Sequence, residues 1–141
     1  MGQLFDKVQV PGAVVLELQE GQRKGYDAPD LNHYRWLMVV EPKSIPSEWL
    51  TLDLGPGELA VLALALEHRG HIVLLDDALA RQIAHTAGLA VWGTLRILLK
   101  AKSCGLVERI QPVVQQMRDS GMWVSDELAQ RILALANEEE E

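Results

Sequence analysis

The chain has 141 residues, a net charge of −7 and 48% hydrophobic residues, and only 5% of its residues are aromatic. This size and apolar content predict one compact domain, over residues 1–137, with a substantial buried core. No apolar run approaches the roughly 20 residues that a membrane-spanning helix needs. The first residues lack the pattern of a secretion signal, and a lone cysteine, Cys104, excludes an internal disulfide. We therefore expect a cytoplasmic protein with no membrane partner.

The negative charge is concentrated at the end of the chain. The glutamates at residues 138–141 are expected to form a disordered acidic tail, which leaves the body only mildly acidic. Because nucleic-acid binding relies on basic side chains that displace counterions from phosphates, it would need a local basic patch here.

The first half of the chain predicts two strands and a helix. Residues 8–10 alternate like a short strand, and Pro11 then suits the first turn of a helix that stops near Gly21. Residues 34–40 form the next strand candidate after a polar loop, and a short extended piece is expected at residues 49–52.

The second half alternates helices and strands. A strongly apolar helix is predicted from Gly55 to about Arg69, and a strand at residues 71–75 follows it. The remaining predicted elements are a helix to Thr86, a strand at 89–92, a helix at 93–103 and a helical hairpin at about 107–136, with its bend around residues 121–123. This order predicts an α/β fold with a short parallel sheet.

Two adjacent aspartates end the strand at residues 71–75. Asp76 and Asp77 could bind a metal, because side chains beyond the carboxyl ends of parallel strands project into a solvent-reachable crevice. An aspartate between a strand and a helix is equally an ordinary N-cap, and capping is favoured on this observation alone. Two adjacent acids do not both cap one helix equally well, which leaves one carboxylate without a structural role.

Two glutamates are weaker candidates. Glu58 follows Pro56 closely enough to fold back on the helix entrance in a capping box, which is the slightly favoured interpretation. Glu17 lies inside a short helix between Leu16 and Leu18, where a solvent-facing role is the default. Neither residue indicates a site by itself.

The helix predicted at residues 93–103 carries Arg96, Lys100 and Lys102. Arg96 and Lys100 are four residues apart and share one helix face. A solvated surface is the default interpretation, and a ridge that binds phosphates is the alternative.

The four histidines lack zinc-ligand spacing and the glycines lack a nucleotide-binding fingerprint, so we expect neither zinc nor a nucleotide cofactor.

Four stretches resemble, in order, the prokaryotic PIN-domain-like proteins, a family of nucleic-acid-binding proteins and toxin components of toxin–antitoxin pairs. They are QVPGAVVLELQEG (9–21), LDLGPGELAVLALALE (52–67), IVLLDDALARQIAHTAGLAVWGTLRILLKAKSCGLV (72–107) and SGMWVSDELAQRILALA (120–136). The combination of LLDD, GT and L-x-x-AK is the most specific part of the likeness.

The resemblance implies a three-layer α/β/α fold and metal-dependent hydrolysis of RNA with Mg²⁺ or Mn²⁺. By position, Glu17, Glu58, Asp76 and Asp77 match the family's acids, and Thr94 would orient a water or a phosphate. RNA and a cognate antitoxin are the implied partners.

The chain departs from the family in two places. Relatives begin with a further strand, which carries an aspartate, and a helix before the segment that matches the start of this chain, so the fold is expected to be N-terminally truncated with a gap in its sheet. Ala60 stands where many relatives repeat a glutamate. A sheet with a gap exposes unpaired backbone groups. Three alternatives follow: the given sequence begins too late, the sheet repacks or pairs with another chain in a homo-oligomer, or the protein has lost catalysis.

Two functions therefore remain open. The first is a PIN-like metal-dependent ribonuclease or an inactive remnant of one. The second is a non-catalytic interaction module, in which an apolar groove or the C-terminal hairpin, with Trp123 at its bend, binds a partner helix or a second copy of the chain.

Overall fold

The computed structural model describes residues 2–122 and 124–138. Strands and helices alternate through most of this chain, and the expected α/β class is confirmed. The elements are β1 (Val8–Val10), α1 (Gly12–Arg23), β2 (Leu37–Val39), α2 (Pro56–Glu67), β3 (Ile72–Leu74), α3 (Ala78–Thr86), β4 (Ala90–Trp92), α4 (Thr94–Ser103), α5 (Gln111–Asp119) and α6 (Asp126–Leu135).

The strands pair in parallel, as the alternation with helices predicts. Strand β1 pairs with β2, with Gln9 opposite Met38, and β3 pairs with β4, with Val73 opposite Val91. Within the described residues these are two separate two-stranded sheets and not one continuous sheet.

The chain divides into two compact units, residues 1–92 and 93–141. The core of the first unit forms around α2, because its sequence is apolar on every side. Leu62 of α2 is fully buried, and so are Ala80 and Ala84 of α3. The small alanine side chains allow α3 to pack closely against its neighbours, which is how protein cores reach crystal-like density.

The second unit has its own core. Ile110, which precedes α5, is fully buried and packs in one cluster with Ile132 and Leu133 of α6 and with apolar side chains of α4. Ser125 caps helix α6, because its hydroxyl accepts a hydrogen bond from the Leu128 N–H at 3.1 Å. Trp123, expected at the bend of the hairpin, lies outside the described residues.

Three predicted boundaries are wrong. Of the piece expected to be extended at 49–52, residues 49–51 belong to the 3-10 helix Ser47–Thr51, and only Leu52, which follows it, has an extended backbone. The strand expected at 34–40 is reduced to β2. Helix α5 begins at Gln111 and not near Val107, because Pro112 occupies its first turn and suits a helix start.

Glu138, expected at the start of a solvated tail, is instead bound within the second unit. Its side chain is only 4% exposed and lies 2.9 Å from the Lys102 ammonium. Its carboxylate also accepts hydrogen bonds from the N–H groups of Ile110 at 2.8 Å and Gln111 at 3.1 Å. Residues 139–141 lie outside the described part of the chain. The acidic tail as a whole stays a prediction.

The electrostatics of Glu138 follow from these contacts. Burial raises the pKa of its carboxyl group, because a charge loses hydration in the interior. The N–H groups of Ile110 and Gln111 and the ammonium of Lys102 favour the charged form more strongly, so the pKa lies below its ordinary value.

Candidate functional site

A cavity of about 850 Å³ lies within the first unit. Strands β1 and β3 and helices α1 and α2 contribute half of its lining residues, and the lining is largely apolar. All four candidate acids, Glu17, Glu58, Asp76 and Asp77, also line this cavity. Residues that are 60 positions apart in the chain therefore line the same cavity.

The start of α2 positions the two glutamates. The Gly57 N–H donates a hydrogen bond of 2.9 Å to Glu17 Oε1, so Glu17 of α1 occupies the N-terminus of α2. This contact uses one of the N–H groups that the first turn of a helix leaves unpaired, and it places a negative charge at the favourable end of the helix dipole. Glu17 is therefore not a purely solvent-facing side chain, which was the default interpretation of its sequence position.

The glycines of the turn before α2 make room for the carboxylates. A Cβ on Gly57 would lie 2.6 Å from Glu17 Oε2, and a Cβ on Gly55 would lie 2.7 Å from Glu58 Oε2. Glu58 thus folds back beside the helix entrance, where the N-cap residue Gly55 has no side chain of its own to cap α2. The sequence placed this turn correctly at the start of an apolar helix but did not identify Gly57 as a site residue. The available signal was the glycine–proline–glycine spacing next to an acid.

The aspartates at the end of β3 divide their roles. Asp77 is the N-cap of α3, since its Oδ2 accepts a hydrogen bond of 2.9 Å from the Ala80 N–H. Asp76 and Asp77 are both exposed where they line the cavity. Asp77 therefore caps α3 and still lines the cavity together with Asp76.

The donor chemistry of the four acids suits a hard divalent cation, which prefers oxygen ligands. Their arrangement does not complete a site. Among residues 2–122 and 124–138, no group of three or more His, Cys, Asp or Glu side chains is placed to hold a metal ion. The metal-ligand roles of these residues stay predictions, and the described residues alone do not fit a three-ligand centre.

The basic residues predicted to contact nucleic acid all lie on α4, in the second unit. Arg96 and Lys100 are exposed, whereas Thr94 is half-buried at the start of the helix. Lys102 is 25% exposed and is paired with Glu138, which gives its ammonium a structural partner. The role of Thr94, Arg96, Lys100 and Lys102 in binding phosphate stays a prediction. For Lys102, binding a phosphate would compete with the ion pair to Glu138.

The chain thus combines an α/β order of elements, parallel strand pairs and a cavity lined in part by four acids. The family model DUF3368, described as a PIN domain, matches residues 1–138. The chain therefore belongs to the PIN-domain family, and the arrangement of its helices and short parallel sheets is consistent with a PIN-like α/β/α fold. PIN domains are nuclease-like, nucleic-acid-binding domains that generally use divalent metal ions.

Neither the curated proteins nor the solved structures yielded a match to this chain. No helix among the described residues is long and apolar enough to cross a membrane.

Proposed function

We propose that this chain is a PIN-type ribonuclease that hydrolyses RNA phosphodiesters, and that the acidic margin of the cavity is its site. The supporting observation is that Glu17, Glu58, Asp76 and Asp77, from three separate segments, line a single cavity. Membership of a nuclease-like family supports the same chemistry.

Mg²⁺ or Mn²⁺ is the proposed cofactor, because a divalent cation with oxygen ligands can activate water and neutralise charge on a reacting phosphate. Since the described residues do not gather three ligands, we derive no catalytic step through the metal. The residues themselves supply a fixed carboxylate, Glu17 on the Gly57 N–H, and an acidic pair after β3.

A second candidate is an inactive member of the family that retains RNA binding without cleavage. The specific observation in its favour is the incomplete ligand set among the described residues. A toxin role with a cognate antitoxin, and assembly into a homo-oligomer, belong to the proposal through the resemblance of the sequence to toxin components.

The experiment compares cleavage of single-stranded RNA with and without Mn²⁺ by three proteins. Asp77→Asn removes one carboxylate charge but keeps the cap of α3, because asparagine and aspartate are about equally good N-caps. Asp27→Asn is the matched control, since Asp27 is exposed and does not line the cavity. We expect Mn²⁺-dependent cleavage by the wild type and Asp27→Asn, and cleavage at background level by Asp77→Asn.

RNA binding, measured by fluorescence anisotropy, separates the two candidates. Binding without cleavage by the wild type would favour the inactive family member. Equal background cleavage by all three proteins, together with no RNA binding, would contradict both.

A further inference from the structure

The carboxylate of Glu138 lies among four donors of the second unit. Its Oε2 accepts a hydrogen bond from the Ile110 N–H at 2.8 Å and lies 2.9 Å from the Lys102 ammonium. Its Oε1 accepts from the Gln111 N–H at 3.1 Å and lies 3.5 Å from the Arg109 guanidinium. Each oxygen of this carboxylate therefore contacts one backbone N–H and one cationic side chain.

Donors of these kinds also bind the phosphates of nucleic acids. Contacts to phosphate oxygens come from arginine and lysine side chains, from backbone N–H groups and from helix N-termini. A phosphodiester presents two charged oxygens on one phosphorus, in a fork that arginine binds as it binds a carboxylate. The four donors around Glu138 are therefore suited to a phosphate in place of the carboxylate.

The backbone of Glu138 is held separately from its carboxylate. Asn137 has a positive φ of 58°, and its N–H donates to the Ala134 carbonyl at 3.1 Å. The Glu138 N–H donates to the Leu133 carbonyl at 2.7 Å. These two bonds form the Schellman motif, which closes the C-terminus of a helix. The Glu138 side chain can therefore rotate away from its donors while α6 keeps its cap.

The two cations stay available when the carboxylate leaves. Lys102 also donates a hydrogen bond to the Ala136 carbonyl, which ties its ammonium to the end of α6. The Arg109 side chain is 63% exposed, whereas that of Glu138 is 4% exposed. An approaching phosphate therefore meets the guanidinium first and gains the remaining donors as Glu138 leaves them.

We propose that Glu138 makes an autoinhibitory contact, in which its carboxylate competes with RNA phosphates for Lys102, Arg109 and the N–H groups at the start of α5. This inference rests on the RNA binding of the proposed function but not on cleavage. A contact that only stabilises the fold is the alternative. It predicts that loss of the carboxylate lowers stability without any gain in RNA affinity.

The test measures binding of a fluorescein-labelled single-stranded RNA by fluorescence anisotropy, in EDTA so that no metal-dependent cleavage occurs. It compares the wild type with Glu138→Gln, which removes the charge that competes with phosphate. We expect Glu138→Gln to bind this RNA about tenfold more tightly than the wild type at about 0.1 M salt.

Glu127→Gln is the matched control. It removes the same charge from the same unit, and it releases Arg131 from an ion pair of 3.6 Å. Because Glu127 does not contact the four donors, this variant should bind the RNA as the wild type does.

The salt dependence of binding identifies the contacts that are gained. Each phosphate contact to a single strand steepens the slope of log K against log salt by about 0.7. Two new contacts, from Lys102 and Arg109, should steepen the slope of Glu138→Gln by about 1.4. The double variant Glu138→Gln/Arg109→Gln should lose about half of this change.

A measurement on the wild type keeps the test decisive if circular dichroism shows that Glu138→Gln is unfolded. In NMR on the isotope-labelled wild type, saturating RNA should shift the amide resonances of Ile110 and Gln111, because their N–H groups exchange a carboxylate for a phosphate. The amide of Glu127 should stay unchanged.

Several results would overturn the proposal. They are no gain in affinity by folded Glu138→Gln, an equal gain by Glu127→Gln, an unchanged salt slope, unshifted amides at Ile110 and Gln111, and no RNA binding by any of the proteins. Mn²⁺-dependent cleavage by the wild type without a gain for Glu138→Gln would reject the autoinhibitory contact alone. A gain in affinity without any cleavage would reject the nuclease alone.

Discussion

Replacing Glu138 by alanine should destabilise the second unit strongly for a residue so close to the end of the chain. Its carboxylate accepts hydrogen bonds from Ile110 and Gln111 at the start of α5 and pairs with Lys102. A hydrogen bond to a charged group contributes about 1.5–3 kcal/mol. Lys102 and Arg109 are partly hydrated, with 25% and 63% of their side chains exposed. The two backbone bonds therefore dominate the expected effect.

We expect Glu138→Ala to lower the free energy of unfolding by about 3 kcal/mol at pH 7, because two helix-terminal N–H groups lose their acceptor. This corresponds to a decrease in Tm of about 10 °C for a chain of this size. Urea denaturation followed by far-ultraviolet circular dichroism measures the first quantity, and a thermal scan measures the second.

The pH dependence has a definite sign. Because the native pKa of Glu138 lies below its ordinary value, its ionised form contributes stability that is fully present above the pKa of the unfolded chain. That contribution is lost as the pH falls through the native pKa. The difference in unfolding free energy between the wild type and Glu138→Gln should therefore shrink between pH 7 and about pH 3.

Glu127→Gln is the matched control in the same unit. Glu127 is 85% exposed and its ion pair with Arg131 measures 3.6 Å, so its loss should cost less than about 0.5 kcal/mol. A Glu138→Ala protein within that same margin of the wild type would refute the reasoning. So would a gap between the wild type and Glu138→Gln that widens on acidification.

Three further predictions concern the first unit. Gly57→Ala should lower the free energy of unfolding, measured by urea denaturation, by about 1–2 kcal/mol. The new Cβ would lie 2.6 Å from Glu17 Oε2 and displace the carboxylate from its N–H donor. Unchanged stability would contradict the role given to this glycine. Leu62→Ala, at a fully buried position, should cost about 2–5 kcal/mol, and a loss below 1 kcal/mol would mean that the α2 core is loosely packed. Asp77→Ala should lower the free energy of unfolding by about 1 kcal/mol through loss of the α3 cap, whereas Asp77→Asn should leave it almost unchanged. Equal losses for both variants would mean that the charge of Asp77, and not its cap, stabilises the fold.

The elements that sequence analysis predicted correctly depend on local rules. The parallel class follows from alternating short strands and helices, and an aspartate cap was expected between β3 and α3, where Asp77 provides it. The burial of α2 follows from a run that has no polar face. The errors at residues 47–51 and near Val107 lie where no periodic pattern extends far enough to distinguish a turn from a regular element.

The candidate site was predictable only in part. The sequence named Glu17, Glu58, Asp76 and Asp77, and the structure brings them to one cavity margin. It did not predict that the Gly57 N–H would bind a carboxylate 40 residues away, nor that no three of the described acids would be placed to hold a metal. Both facts depend on ångström-scale distances between segments.

The amino-acid sequence by itself determined the order and type of the elements, because hydrogen bonds inside helices, and the alternation of side chains in strands, depend on residues a few positions apart. Tertiary structure alone decided that β1 and β3 belong to different sheets, that a cavity lies beside both, and that Glu138 holds the start of α5. The physical reason is that each of these features pairs backbone groups with partners far away in the chain, and only packing selects those partners.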